Sequence, residues 1–149
     1  MRAATTWCVV MLAVACGGSD VDPTGTTATL DCASDYDTYA DGLTAAGQAY
    51  EVTFLAATPQ PPDRGENTWS LQVAPVGGVA TTDVSVAVEP FMPEHGHGTS
   101  PETFAAEVVD GAFDVGPIDL FMPGLWVLTF YVDDGQVVDA VEFRFCLEG

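Results

Sequence analysis

Lysine is absent from this 149-residue chain, and its three arginines face 22 aspartates and glutamates. The formal net charge at pH 7 is therefore −19. Without lysine the chain has no group for Schiff-base chemistry. A polyanion of this kind also repels nucleic-acid phosphates and anionic lipid headgroups. We expect no nucleic-acid partner and no electrostatic binding to membranes.

Apolar residues are plentiful but do not form long runs. They make up 48% of the chain, which excludes an acidic disordered protein. The length suits one domain of ordinary size. An apolar run within residues 1–15 follows the single positive charge of Arg2 and ends in small residues. This pattern is typical of a secretory signal peptide, and the run is too short for a permanent membrane-spanning helix.

The residues around Cys16 resemble the lipobox of bacterial lipoproteins. The segment reads Ala-Val-Ala-Cys-Gly over residues 13–17. The resemblance implies that Cys16 is lipidated and becomes the first residue of the mature protein, with plain signal cleavage as the alternative. Gly17 in place of aspartate goes with delivery to the outer membrane in lipoproteins of Gram-negative bacteria. We therefore expect a lipid-anchored protein of the cell envelope, facing the periplasm or the cell exterior.

Residues 16–29 are rich in Gly, Ser, Asp, Pro and Thr, which is typical of a flexible tether. The remaining residues, 30–149, form the predicted domain. Once Cys8 leaves with the signal peptide and Cys16 carries lipid, only Cys32 and Cys146 remain. In an oxidising compartment we expect a disulfide between them.

The domain reads as a series of short strands. Apolar and polar residues alternate with period two in segment after segment, as in half-buried strands. Asp133-Asp134-Gly135, between two such segments, is typical of a hairpin turn. About seven strands and no amphipathic helix predict an all-β, immunoglobulin-like antiparallel β-sandwich, with an up-and-down barrel as the alternative. The expected inward sets are Tyr50, Val52, Phe54; Trp69, Leu71, Val73; Val84, Val86, Val88; Phe104, Ala106, Val108; Phe113, Val115; Trp126, Leu128, Phe130, Val132; and Val137, Val141, Phe143, Phe145.

Both histidines of the chain, His95 and His97, lie in one glycine- and proline-rich loop after a predicted strand. Residues two apart in an extended backbone point the same way, so both imidazoles can face one ion. Met92 precedes them in a Phe-Met-Pro triplet, and a second such triplet contains Met122. We expect the two triplets to lie at the same end of the sandwich.

Imidazole and thioether ligands together point to copper, and the thioether favours Cu(I). The candidate ligands are Met92, His95, His97 and Met122. Zinc, the less favoured metal, would take the two histidines and a carboxylate such as Glu94. The loop supplies no nucleophile or oriented general base, so we expect binding, as in copper transport or buffering, and no enzyme activity. The alternative is an interaction or assembly module without metal, in which the methionines fill the end of the core.

Two segments of the chain resemble the YtkA-like domain, which is related to FixH-like proteins. The first reads Met-Pro-Glu-His-Gly-His over residues 92–97, and the second reads Phe-Met-Pro-Gly-Leu-Trp-Val-Leu over residues 121–128. The resemblance implies an extracytoplasmic immunoglobulin-like sandwich, often on a lipoprotein, found near copper-handling and respiratory-oxidase functions. It suggests a copper-handling or oxidase-assembly protein as partner.

Overall fold

The computed structural model describes residues 31–148, which form two antiparallel sheets and contain no helix. None of these residues therefore belongs to a helix long and apolar enough to cross a membrane. The predicted signal peptide, Cys16 with its predicted lipid, and the whole predicted tether lie outside the described residues. Ten strands follow one another along the chain: β1 Thr44–Ala46, β2 Tyr50–Thr58, β3 Gly65–Pro75, β4 Ser85–Met92, β5 His97–Gly98, β6 Phe104–Ala105, β7 Glu107–Val109, β8 Ala112–Leu120, β9 Gly124–Asp133 and β10 Val138–Leu147.

The strands form a sandwich of two separate sheets. One sheet has the order β1-β2-β3-β8-β7, and the other has the order β10-β9-β4-β5, with β6 also pairing with β4. This arrangement confirms the antiparallel sandwich and excludes the single closed barrel. The sequence predicted about seven strands because it missed the short strands β1 and β5 and took the short strands β6 and β7 as one.

The core lies between the sheets and follows the period-two pattern closely. On β2 and β3 every expected inward residue is buried, and Phe54 sits edge-on to both Trp69 and Phe130. Trp126 is fully buried, as predicted. Burial of one aromatic or aliphatic side chain contributes roughly 1.5 to 3 kcal/mol, so this interior is the main source of stability.

The segment from Phe104 to Val108 departs from its prediction as one half-buried strand. It pairs first with β4, in β6, and then leaves that sheet to pair with β8, in β7. Ala106, between the two pairings, donates its N–H to the carbonyl of Val86. Val108 consequently lies on the edge strand β7 and is 52% exposed, because the chain has changed sheets before reaching it.

The predicted hairpin at Asp133-Asp134-Gly135 is confirmed, since Asp133 pairs with Val138 across β9 and β10. The turn is held by carboxylates: Asp133 accepts the N–H of Gly135, and Asp134 accepts the N–H groups of Gln136 and Val137. Val137 was expected to face the core, but it belongs to this turn and is half exposed.

The predicted disulfide joins Cys32 to Cys146, with their Cα atoms 5.4 Å apart and a separation of 114 positions in sequence. It ties the segment before β1 to the end of β10. The same segment also pairs with the free edge of β10 through Asp37. Its N–H donates to the carbonyl of Arg144, and its carboxylate accepts the Arg144 N–H at 2.8 Å.

A buried carboxylate joins the two sheets at the end opposite the histidine loop. Asp139, on β10, accepts the backbone N–H groups of Gln48, Ala49 and Tyr50 at 2.8 to 3.1 Å. Burial alone would raise the pKa of this carboxyl, but these N–H groups, together with that of Ala140, hold the pKa below its usual value. A side chain on Gly47 would collide with the same carboxylate.

Candidate functional site

The histidines are presented by the tight β4–β5 hairpin. Met92 ends β4, and its carbonyl accepts the N–H groups of His95 and Gly96, which folds the connecting residues into one turn. Gly96 has a φ of +69°, a left-handed conformation that favours glycine. Gly98 lets β5 lie close against β4, because a Cβ there would collide with the carbonyl oxygen of Pro90.

The two imidazole rings are neighbours. Their centroids are 5.8 Å apart and their planes are inclined by 31°. The centre of an imidazole lies about 3.2 Å from a metal bound at about 2.0 Å, so two rings on one ion are at most about 6.4 Å apart. The observed separation of 5.8 Å is within this limit. His95 is exposed and His97 half-buried, so the pair is open to solvent on one side.

Met92 lies directly opposite His97 in the β4–β5 pairing. Residues opposite each other in antiparallel strands share a face, with Cβ atoms about 4.5 to 5.5 Å apart. Met92 is fully buried and belongs to the core cluster. The buried methionine is therefore beside the half-buried histidine, on the same face of the two strands.

The second Phe-Met-Pro segment packs against the first, as the sequence predicted. The Phe121 ring is stacked on that of His97, with centroids 5.8 Å apart and planes only 10° from parallel. Gly124 makes a further close approach, since a Cβ there would lie 3.1 Å from the Met92 Cε atom and 3.4 Å from a Glu94 carboxylate oxygen. Met122, which lies between Phe121 and Gly124 in sequence, is half-buried against the core.

Trp126 supports this arrangement from below. Its indole N–H donates to the carbonyl of Met122 at 2.9 Å, which fixes the backbone of the second segment. Its ring also meets Phe121 edge-on at 5.8 Å. A fully buried indole satisfied in this way is a rigid base for the residues around His97.

The hydrogen bond of His97 determines which nitrogen is available. Its Nδ1 atom lies 3.2 Å from the carbonyl oxygen of Gly98. This contact favours the tautomer that carries the proton on Nδ1, which then donates to that carbonyl. The lone pair of Nε2 is left free, and a backbone carbonyl on the other nitrogen is the usual support of a metal-binding histidine.

Carboxylates are not assembled with the histidines. Among residues 31–148, no group of three or more His, Cys, Asp or Glu side chains is placed to hold a metal ion. Glu94 is exposed on the same turn. The zinc alternative needs a third ligand of this kind, for which Glu94 is the candidate.

The structure thus brings one set of predicted site residues to one end of the sandwich: Met92, His95, His97 and Met122. Cys16 lies outside the described residues. The sequence reasoning did not single out Phe121, which stacks on His97. The repeated Phe-Met-Pro triplet was the available signal, because each triplet places a phenylalanine next to the candidate methionine.

Fold and site together define an all-β sandwich domain that carries a histidine loop and two methionine segments at one end. The YtkA-like family model matches residues 44–130, more than half of the chain. The protein therefore belongs to the YtkA-like family. No curated protein and no solved structure matches the chain.

Proposed function

We propose that this protein is a lipid-anchored cell-envelope protein that binds one copper ion for trafficking or buffering. The supporting observation is that imidazole and thioether side chains lie together at one end of the fold. Two adjacent imidazoles lie near the surface, and Met92 is paired with His97 across β4 and β5, on the same face of the two strands. Soft thioether with imidazole is a donor set for Cu(I), and Met122 is on the segment packed against it.

The burial gradient explains how such a site takes up and releases an ion. His95 is exposed, His97 is half-buried and Met92 is fully buried, so the donors run from solvent into the core. An arriving ion meets imidazole first, while the thioethers complete its shell on the dry side. Nothing in this scheme transfers a group or a proton to a substrate, so the proposed role is binding without catalysis.

The anchor and location are part of the same proposal. A lipid on Cys16 and a short tether would hold the domain at the outer membrane. The partner would be a copper-handling or oxidase-assembly protein of the same compartment. Direct support for an oxidising location is the Cys32–Cys146 disulfide, because such bonds persist mainly outside the cytosol.

A competition titration with a Cu(I) chelator tests the proposal on the purified full chain, with Cu(II) and Zn(II) in parallel. Every form carries Cys8→Ser and Cys16→Ser, because free thiolates themselves bind Cu(I). We expect one Cu(I) per chain. The His95→Ala/His97→Ala variant should weaken Cu(I) binding by at least about 100-fold, and Met122→Leu by about tenfold. Loss of a residue that only supports a metal ligand typically weakens binding by about 10- to 100-fold, and loss of a ligand itself should cost at least as much.

Glu94→Gln is the matched control in the same turn. A Cu(I) site of imidazole and thioether should keep its affinity in this variant, whereas a zinc site of two histidines and Glu94 should lose its metal. Thermal unfolding of each variant checks that the fold is retained. Weak binding that all the variants share would sink the copper proposal and favour the second candidate, an interaction module without metal.

A further inference from the structure

The eight phenylalanines divide sharply by exposure. Five are buried and Phe104 is half-buried, whereas Phe91 is 38% and Phe121 is 43% exposed. These two begin the two Phe-Met-Pro segments, and both are close to His97. Phe121 stacks on the His97 ring, and Phe91 pairs with Gly98, the residue that follows His97. Both exposed phenylalanine rings therefore lie at the histidine end.

Two open depressions flank Phe91. One, of about 370 Å³, is lined by Glu89, His97 and Glu102 in addition to Phe91. The other, of about 410 Å³, lies over the outer face of β4, β9 and β10, where Pro93 and Val127 join Phe91 in its lining. Each depression is large enough for a side chain of a partner protein. The same partner would cover the apolar rim between the two depressions.

Carboxylates surround this apolar area, and the one basic residue that lines the two depressions, Arg144 in the larger one, is paired with Glu142. We define the phenylalanine surface as the following residues: Glu89, Phe91, Pro93, Glu94, Glu102 and Phe121. Within residues 31–148 the one ion pair joins Arg144 to Glu142 at 3.1 Å, so the carboxylates of this surface have no cationic partner in that part of the chain. Glu89 accepts only the hydroxyl of Tyr131 among the described groups.

We propose that the phenylalanine surface docks a protein partner whose binding face is basic, with an apolar centre. Anionic lipids and nucleic acids would be repelled by the same carboxylates. A second copy of this chain would place like charges against each other, which disfavours a symmetric dimer through this face. Lysines and arginines of a partner would pair with the carboxylates, while its apolar centre covers both phenylalanine rings.

The docking surface goes beyond the proposed copper site, although the two are adjacent. A partner seated on Phe121 would lie against the ring that stacks on His97, close enough for an ion to pass between ligands of the two proteins. Docking itself relies on apolar contact and charge and does not require bound metal. Its failure and a failure of the copper titration are therefore separate results.

Site-specific photo-crosslinking tests the docking surface in native cells producing the full chain. A benzoylphenylalanine replaces Phe91 or Phe121, and Val79, which is 84% exposed in the loop before β4, serves as the control position. We expect one adduct from Phe91 and Phe121, and none from Val79. Mass spectrometry should identify a partner with a basic face at the crosslinked position.

Charge dependence is tested in envelope preparations after copper has been chelated. The adduct yield should fall at least about fivefold between about 0.05 M and about 0.5 M salt, because contacts between exposed charges are screened. Glu89→Gln/Glu102→Gln should reduce it similarly. Asp83→Asn/Glu107→Gln changes the net charge equally at remote positions and should not. The proposal would be overturned if the adduct joined two copies of this chain or if the crosslinked face of the partner were acidic. It would also be overturned if Val79 gave as much adduct as the two phenylalanine positions, or if no adduct formed.

Discussion

Replacing Cys32 and Cys146 with serine is expected to lower the free energy of unfolding by about 4 to 5 kcal/mol in the chain-entropy model. The reason is the length of the loop that the disulfide closes, whose ends are 114 positions apart in sequence. In the unfolded chain this bridge removes much conformational freedom, so the oxidised protein loses less entropy on folding. Equilibrium unfolding in guanidinium chloride, compared between the parent and the double serine variant, measures the difference.

Reduction provides the control for this prediction. A thiol reductant should destabilise the parent by the same amount and leave the double serine variant unchanged. The segment before β1 should then be held to β10 mainly by the Asp37 hydrogen bonds to Arg144. A loss below about 1 kcal/mol in both comparisons would show that the bridge constrains little of the unfolded chain.

Asp139→Ala is expected to destabilise the domain by about 3 kcal/mol. The substitution removes the acceptor of three backbone N–H groups, from Gln48, Ala49 and Tyr50, where the β1–β2 turn of the opposite sheet leads into β2. Each unsatisfied buried donor costs roughly 1 to 3 kcal/mol, and water entering at this sheet end restores part of the loss. Denaturant unfolding at neutral pH measures the effect, with Asp119→Ala as a control at a carboxylate exposed on β8.

The same carboxylate makes stability depend on pH in a defined direction. Because the folded-state pKa of Asp139 is lowered, its contribution is complete well above the unfolded value of about 3.9 and is lost as pH falls through the folded-state pKa. Asp139→Asn cannot titrate. The stability gap between the parent and this variant should therefore narrow as pH falls below about 5. A gap that stays constant down to pH 3 would contradict the role assigned to this ionised side chain.

The sequence predicted the sandwich because its strands bury one face each, which produces a period-two pattern at residues such as Val52, Leu71 and Val88. It missed the change of sheet near Ala106 because alternation does not record which strand is the partner. It also missed Asp139, although the signal was present. This carboxylate occupies the inward position before Val141 and Phe143, where an apolar residue is expected. It is stable there because it accepts backbone N–H groups about 90 residues away in sequence.

The histidine loop shows the same division between local and distant information. The spacing of His95 and His97 and the glycines beside them are local, and they predicted two neighbouring imidazoles. The depth of Met92 depends on the core beneath it, and the stacking of Phe121 depends on how the β8–β9 connection meets the β4–β5 hairpin. These features require the tertiary structure, because no periodicity in one segment reports on contacts made by another.

X-ray absorption at the copper edge tests the copper site most directly. The sample is the full chain with Cys8→Ser and Cys16→Ser, loaded with one equivalent of Cu(I), and Met122→Leu is measured beside it. We predict a nitrogen shell at about 2.0 Å and a sulfur shell near 2.3 Å, the sulfur amplitude falling in the methionine variant. Scattering from light atoms alone, identical in both proteins and in His95→Ala/His97→Ala, would contradict a copper site built from this loop and its methionines.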